Sequence, residues 1–127
     1  MYERAAYEQI RVSEVEGRYL PPETLEAFLT ARLPGSAIDI LGYSVEKRPV
    51  FGVRLGSGPI KVLMWSQMHG NESTTTRAVL DLISSHAQNA FKKRDAFELF
   101  LIPMLNPDGA RAYTRQNANS VDLNRDA

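Results

Sequence analysis

Apolar positions recur with two different periods along the chain. Leu25, Phe28, Leu29 and Leu33 fall at helical spacing behind Pro21-Pro22-Glu23-Thr24. Proline and an acid in a first turn suit the missing amide donors and the helix dipole. The pattern predicts a helix to about Leu33, ended by Pro34-Gly35-Ser36. Ala37 to Val45 then alternates as a strand, Glu46-Lys47-Arg48-Pro49 turns, and Val50 to Leu55 reads as a second strand, giving a hairpin. After Gly56-Ser57-Gly58-Pro59 comes Ile60 to Trp65, a mostly apolar run that predicts a central strand covered on both faces. Thr74 to about His86 returns to helical spacing through Ala78, Val79, Leu82 and Ile83. Asn89 to Asp95 is a polar connection, and Phe97 to Met104 is another apolar strand, closed by Asn106-Pro107-Asp108-Gly109. Residues 1–20 are polar and charged, with room for a short helix.

This order predicts an α/β fold with a mixed central sheet and helices on both faces. Residues 60–104 read as strand, loop, helix, strand: a parallel, right-handed βαβ unit. In such sheets ligands gather beyond the carboxyl ends of the strands. The loops at 66–73 and 105–126 both leave such ends, so they are expected to face one site.

Composition narrows the chemistry. With 127 residues, 43% of them hydrophobic, the chain is expected to form one domain over 1–127. It can bury roughly two-thirds of its unfolded surface without staples. Lys plus Arg and Asp plus Glu are 15 each, a balance that argues against nucleic acid or an anionic membrane as partner. There is no Cys, which excludes disulfides, zinc ribbons, thiol nucleophiles and iron–sulfur clusters. The first residues have no apolar core of a signal peptide, and no run of 18 apolar residues exists, so a cytoplasmic location is expected. No phosphate-cradling loop, dinucleotide fingerprint or G-x-S-x-G elbow is present.

The polar candidates are individually weak. His69-Gly70-Asn71-Glu72 joins two ordinary zinc ligands three residues apart, with a glycine that lets backbone approach closely. Equally, His69 could cap a strand end and Glu72 serve a helix N-terminus. Asn106-Pro107-Asp108-Gly109 reads as a β-turn. Arg115 with Asp122-Leu123-Asn124-Arg125-Asp126 could clamp a carboxylate, or could be solvated charge; Asp122 could be an internal partner that orients an arginine or the turn. His86, near a helix C-terminus, reads as a capping or surface residue. Lys92-Lys93-Arg94 reads as a solvated surface run.

The order of these signals is more specific than any one of them. His69-x-x-Glu72 after a strand, Asn106-Pro107-Asp108-Gly109 after the next, then Arg115 and Asp122-Leu123-Asn124-Arg125 resemble the zinc carboxypeptidases, the metallopeptidases related to carboxypeptidases A and B. The matching stretch runs from about Lys61 to Asp126, and Gly42 to Leu55 resembles the edge hairpin of that fold. The resemblance implies that His69 and Glu72 are zinc ligands, and that Arg115 polarises the scissile carbonyl and stabilises its oxyanion. It implies that Asn124 and Arg125 grip the terminal carboxylate of a peptide or peptide-like substrate. The implied reaction is removal of a C-terminal amino acid by zinc-activated water.

Members of that family also need a third ligand, a His downstream of the Asn-Arg pair, and a Glu general base further on. The chain is therefore expected to be the N-terminal half of such a domain, inactive or nearly so by itself. An uncovered sheet edge is expected to drive self-association. Two other readings fit the same residues. One is an aspartoacylase-like zinc deacylase, which the Asp108-Gly109 continuation disfavours. The other is a non-catalytic module that binds peptide carboxylates without metal.

Overall fold

Four β-strands form one mixed sheet in the computed structural model, which describes residues 4–91 and 95–126. The Lys92-Lys93-Arg94 run lies outside the described residues. In chain order the elements are α1 (Arg4–Ile10), α2 (Pro22–Arg32), β1 (Ile38–Tyr43), β2 (Pro49–Gly56), β3 (Ile60–Trp65), α3 (Thr74–Ala87), β4 (Phe97–Ile102) and α4 (Pro107–Ala112). The sheet order is β1-β2-β4-β3. β1 and β2 form the expected antiparallel hairpin, β2 pairs antiparallel with β4, and β3 pairs parallel with β4.

The alternation of each strand decides which side chains meet. Registers Val53↔Leu101 and Leu55↔Leu99, with Val62↔Leu99 across the parallel pair, place these side chains on one face. There they join Leu25, Phe28 and Leu29 of α2 and Val79, Leu80 and Ile83 of α3 in one core. The helix residues stand at i, i+3 and i+4 in α2 and at i, i+1 and i+4 in α3, so each helix buries one stripe.

The segment before α2 is strapped across α3. Val12 N–H and the Tyr7 hydroxyl donate to Asp81, at 2.8 and 2.9 Å. The Arg77 guanidinium donates to the Val15 carbonyl at 2.8 Å and to that of Gly17, and Leu20 is fully buried.

One expectation needs correcting. Among the described residues β3 is an edge strand, paired only with β4, and not a doubly covered central one. Leu63 and Trp65 are 57% and 52% exposed, on the face opposite the core. Their neighbours in register are Phe100 and Ile102, and Arg54 stacks over Phe100 at 5.3 Å. A continuous apolar run reports that a strand could be covered twice. The covering itself is a long-range matter.

Because β3 and β4 are parallel, their carboxyl ends lie side by side. The ladder continues past both: Ser66 N–H donates to the Ile102 carbonyl, Leu105 N–H to Ser66, and Asn106 N–H to Gln67, all at 3.0–3.1 Å. The two loops predicted to share a site are thus stitched together at their roots.

Candidate active site

The loop after β3 is rigid for local reasons. Gln67 is 2% exposed and holds a left-handed backbone, φ +50°, which is unfavourable for a residue with a side chain. Its amide compensates: Nε2 donates to the Gly70 carbonyl at 2.9 Å, and Oε1 accepts from the buried Thr76 hydroxyl at 2.7 Å. Asn106 ties this loop to the next. Its Oδ1 caps α4 by accepting from Gly109 N–H at 2.9 Å, and its Nδ2 donates to the Met68 carbonyl at 3.1 Å.

Gly70 lies where the loops touch. A Cβ there would overlap the Gly109 carbonyl carbon and the Ala110 nitrogen, so only glycine fits this contact. The sequence expectation of a close backbone approach is met, and the partner is the Asn106-Pro107-Asp108-Gly109 segment.

That segment is not a simple β-turn, which corrects the sequence reading. Pro107 opens α4 behind the Asn106 cap, and Asp108 is 3% exposed. The Asp108 carboxylate accepts from the Ser44 hydroxyl at 2.7 Å, Glu46 N–H at 3.1 Å and the Arg48 guanidinium at 2.7 Å. It therefore pins the β1–β2 turn onto α4.

His69 stands between two carboxylates. Its Nε2 is 3.0 Å from Asp122 Oδ1, and its Nδ1 is 3.3 Å from Glu72 Oε1. Asp122 also accepts from Arg115 Nε at 2.9 Å and from Asn124 N–H at 3.0 Å. The Arg115 guanidinium bond holds the Asp122 carboxyl down at about 2, with the Asn124 amide and His69 adding to it against partial desolvation. An ionised Asp122 is acceptor-only, so Nε2 donates to it, and Nδ1 is the ring nitrogen that faces Glu72. Asp122 is the residue whose role the sequence left most open, and it orients both His69 and Arg115.

This arrangement fits a zinc ion. Two bonds of about 2.1 Å at a tetrahedral angle would set ligand atoms about 3.4 Å apart. The Nδ1–Oε1 gap of 3.3 Å matches, and two acceptors facing each other need a cation or a proton between them. Asp122 lies on the other side of the ring, so it is no ligand. Among the described residues no group of three or more His, Asp or Glu is arranged to hold a metal. His86 is too far to help: it sits in the last turn of α3, about 18 Å along the axis from Thr74.

Arg115 and Glu72 face each other across the site, with Nη1 3.7 Å from Oε1. Asn124 and Arg125 follow on the same loop, both exposed. Arg125 Nη1 donates to the Asn124 carbonyl at 3.1 Å. The structure thus brings His69, Glu72, Arg115 and Asp122 into direct contact, and leaves Asn124 and Arg125 on the open rim. Gln67 and Tyr113 carry no sequence signal that points to the site, and Asn106 reads there only as part of a turn. The αL turn at Tyr113, φ 64°, stops α4 and starts the Arg115 loop.

A family model for zinc carboxypeptidases matches residues 27–126. The chain belongs to the zinc carboxypeptidase family. Among solved structures, a metallo-carboxypeptidase from Burkholderia cenocepacia is 26% identical with a TM-score of 0.70, covering 84% of this chain and 32% of its own. A metallo-carboxypeptidase from Pseudomonas aeruginosa, in complex with (2-guanidinoethylmercapto)succinic acid, is 23% identical with a TM-score of 0.67, covering 84% and 31%. The murein-tripeptide amidase MpaA from Escherichia coli O157 is 21% identical with a TM-score of 0.53, covering 73% and 41%. The latter two likenesses show the fold alone. The chain spans about a third of the length of the first two of these proteins. No curated protein matches it significantly.

Within this zinc carboxypeptidase chain, the expected mixed α/β architecture is present, but among the described residues α2 and α3 pack on the same face of the sheet and not on both. No helix among the described residues is long and apolar enough to cross a membrane.

Proposed function

We propose that this chain supplies part of a zinc-dependent carboxypeptidase site, which removes a C-terminal amino acid from a peptide. The observation that carries the reading is the His69–Glu72 pair. Nδ1 and Oε1 face each other at the separation two zinc ligands take, while Asp122 holds the far side of the imidazole. His69 and Glu72 would be the ligands, and zinc, when bound, would polarise a carbonyl and lower the pKa of a bound water. Arg115, fixed at Nε by Asp122, keeps its outer N–H groups for negative charge developing on the carbonyl oxygen. Asn124 and Arg125 would take the terminal carboxylate, an amide donor beside a planar guanidinium. That capture fixes which bond meets the reacting centre. The carboxylate-bearing ligand on the Pseudomonas neighbour is consistent with such a grip.

A catalytic zinc takes three protein ligands, and His69 and Glu72 are two. The third ligand and the general base would come from residues other than those described. Zinc titrated calorimetrically into this chain is expected to bind weakly, once per chain, and not at all in His69→Ala. A C-terminally free peptide is expected to lose affinity when amidated. Zinc binding indifferent to both His69→Ala and Glu72→Ala would sink the reading. A non-catalytic carboxylate-binding module is the second reading, favoured by the exposure of Asn124 and Arg125; peptide affinity that survives chelation without any zinc uptake would select it. Hydrolysis of N-acetyl-aspartate but not peptides would select the aspartoacylase-like alternative.

Self-association belongs to the same proposal. The open β3 edge and its exposed Leu63 and Trp65 offer a pairing surface for a second copy. Light scattering at high concentration is expected to show dimer or larger species, reduced by Leu63→Lys. A clean monomer at all concentrations counts against it.

A further inference from the structure

A second charged recess borders the site at Glu72. It is an open cavity of about 490 Å³ that shares Glu72 with the site and continues to Asn71, Arg18, Thr74, Thr75 and Arg77. Its far wall is the strap before α2, and that wall is firmly placed. The Arg18 carbonyl accepts from the Ser73 hydroxyl at 2.7 Å and from the Tyr113 hydroxyl at 3.0 Å. Tyr19 packs edge-on against Tyr113, and Arg77 holds the Val15 and Gly17 carbonyls. One clamp comes from the residue after Glu72, and the other from the loop that carries Arg115.

The charges around the recess are unequal. Glu72 is its one carboxylate, and the reading above assigns that group to the metal. Arg77 is occupied by backbone carbonyls. Arg48, Arg54 and Arg115 each have carboxylate partners. The Arg18 guanidinium makes no ion pair or hydrogen bond among the described residues. A cation with an anchored backbone therefore faces a polar recess whose lining otherwise offers neutral amide and hydroxyl groups.

We infer that this recess binds the part of the peptide on the amino side of the scissile bond, and that Arg18 selects an acidic side chain there. The inference rests on the carboxypeptidase reading, because the terminal carboxylate is assigned to Asn124 and Arg125. None of the recess residues belongs to that pair, so the chain that reaches the recess is the remainder of the substrate. A guanidinium recognises a carboxylate bidentately, and a recess of this size holds one or two residues.

The test compares N-acetylated pentapeptides with a free C-terminal Leu that carry Glu, Gln or Lys two or three residues from the C-terminus. Binding to this chain is followed by NMR titration. Wild type is expected to favour Glu over Gln by about fivefold, the upper range for a solvent-facing ion pair, and less at high salt. Arg18→Ala is expected to erase that preference, Arg18→Lys to keep part of it, and Arg18→Glu to shift it to the Lys peptide. A merely structural Arg18 would not invert the preference. Equal binding of Glu and Gln peptides by wild type, or a Glu preference that persists in Arg18→Ala, overturns the inference. No binding of any peptide overturns it too, and the zinc titration then judges the reading separately. If amidating the C-terminus leaves affinity unchanged while the Glu preference follows Arg18, the carboxylate grip fails and the acidic recess stands.

Discussion

Gly70→Ala is expected to cost about 3 kcal/mol of folding stability, the top of the range for overpacking. The added methyl would collide with the Gly109 carbonyl carbon and the Ala110 nitrogen, both of them backbone. A flexible side chain could rotate away, but these atoms belong to the first turn of α4. That turn is held on three sides: by the Asn106 cap, by the Asn106–Met68 bond, and by Asp108 on the β1–β2 turn. The only relief is to separate the two loops, which would move His69 and Glu72 away from Arg115 and Asp122. Urea denaturation gives the stability, and zinc titration gives the second effect. The control is Gly35→Ala, where a Cβ meets nothing within 4 Å and a change within about 0.5 kcal/mol is expected. If both variants unfold at the wild-type midpoint, the glycine contact between the loops is not there.

Asp108→Ala is the second large effect. The carboxylate is buried, and it satisfies the Ser44 hydroxyl, the Glu46 amide and the Arg48 guanidinium together. Removing it orphans the hydroxyl and the amide and leaves a half-buried guanidinium with only Glu46 beside it. A loss of about 3 kcal/mol is expected, the low end for breaking a buried pair, because Arg48 retains some solvent. For a chain of this size that lowers the melting temperature by about 10 °C. The pH dependence carries a further signature. Burial pushes the Asp108 carboxyl up, but the bonds from Ser44, Glu46 and Arg48 outweigh it and hold the group below its ordinary 3.8. A carboxyl depressed in the folded state contributes stability that is fully present above 3.8 and is lost as pH falls through its folded value. Wild type and Asp108→Asn should therefore differ at pH 7 and converge below pH 3.8. A difference in urea midpoint that stays constant from pH 7 to pH 3 would mean that the charge on Asp108 does not matter.

Both predictions concern residues that the sequence presented as punctuation. Gly70 and Asp108 lie in short motifs, and each looked locally sufficient: a permissive glycine, a turn-forming Asp. Their actual partners are far along the chain. Gly70 meets Gly109, and Asp108 meets residues 60 to 64 positions earlier.

Local pattern determined two of the helices and the four strands. The 3.6-residue spacing of Leu25, Phe28 and Leu29 and of Val79 and Ile83 marks α2 and α3, because a helix must bury one stripe. Alternation marks β1, and apolar runs mark β2, β3 and β4, though not the place of β3 in the sheet. The order of the motifs determined the family, and the parallel βαβ reading put the two loops at one end of the sheet. Tertiary structure decided the rest. It placed β3 at an edge of the described sheet, since coverage depends on what else packs there. It turned Asn106-Pro107-Asp108-Gly109 into a capped helix, since a carboxylate can be buried only where three donors converge on it. It gave Asp122 its role between His69 and Arg115, and brought Arg18 beside Glu72 from 54 positions away. Hydrophobic period is a local property that each segment carries in itself. The partners of a polar group are set by chain topology, and no single segment records them.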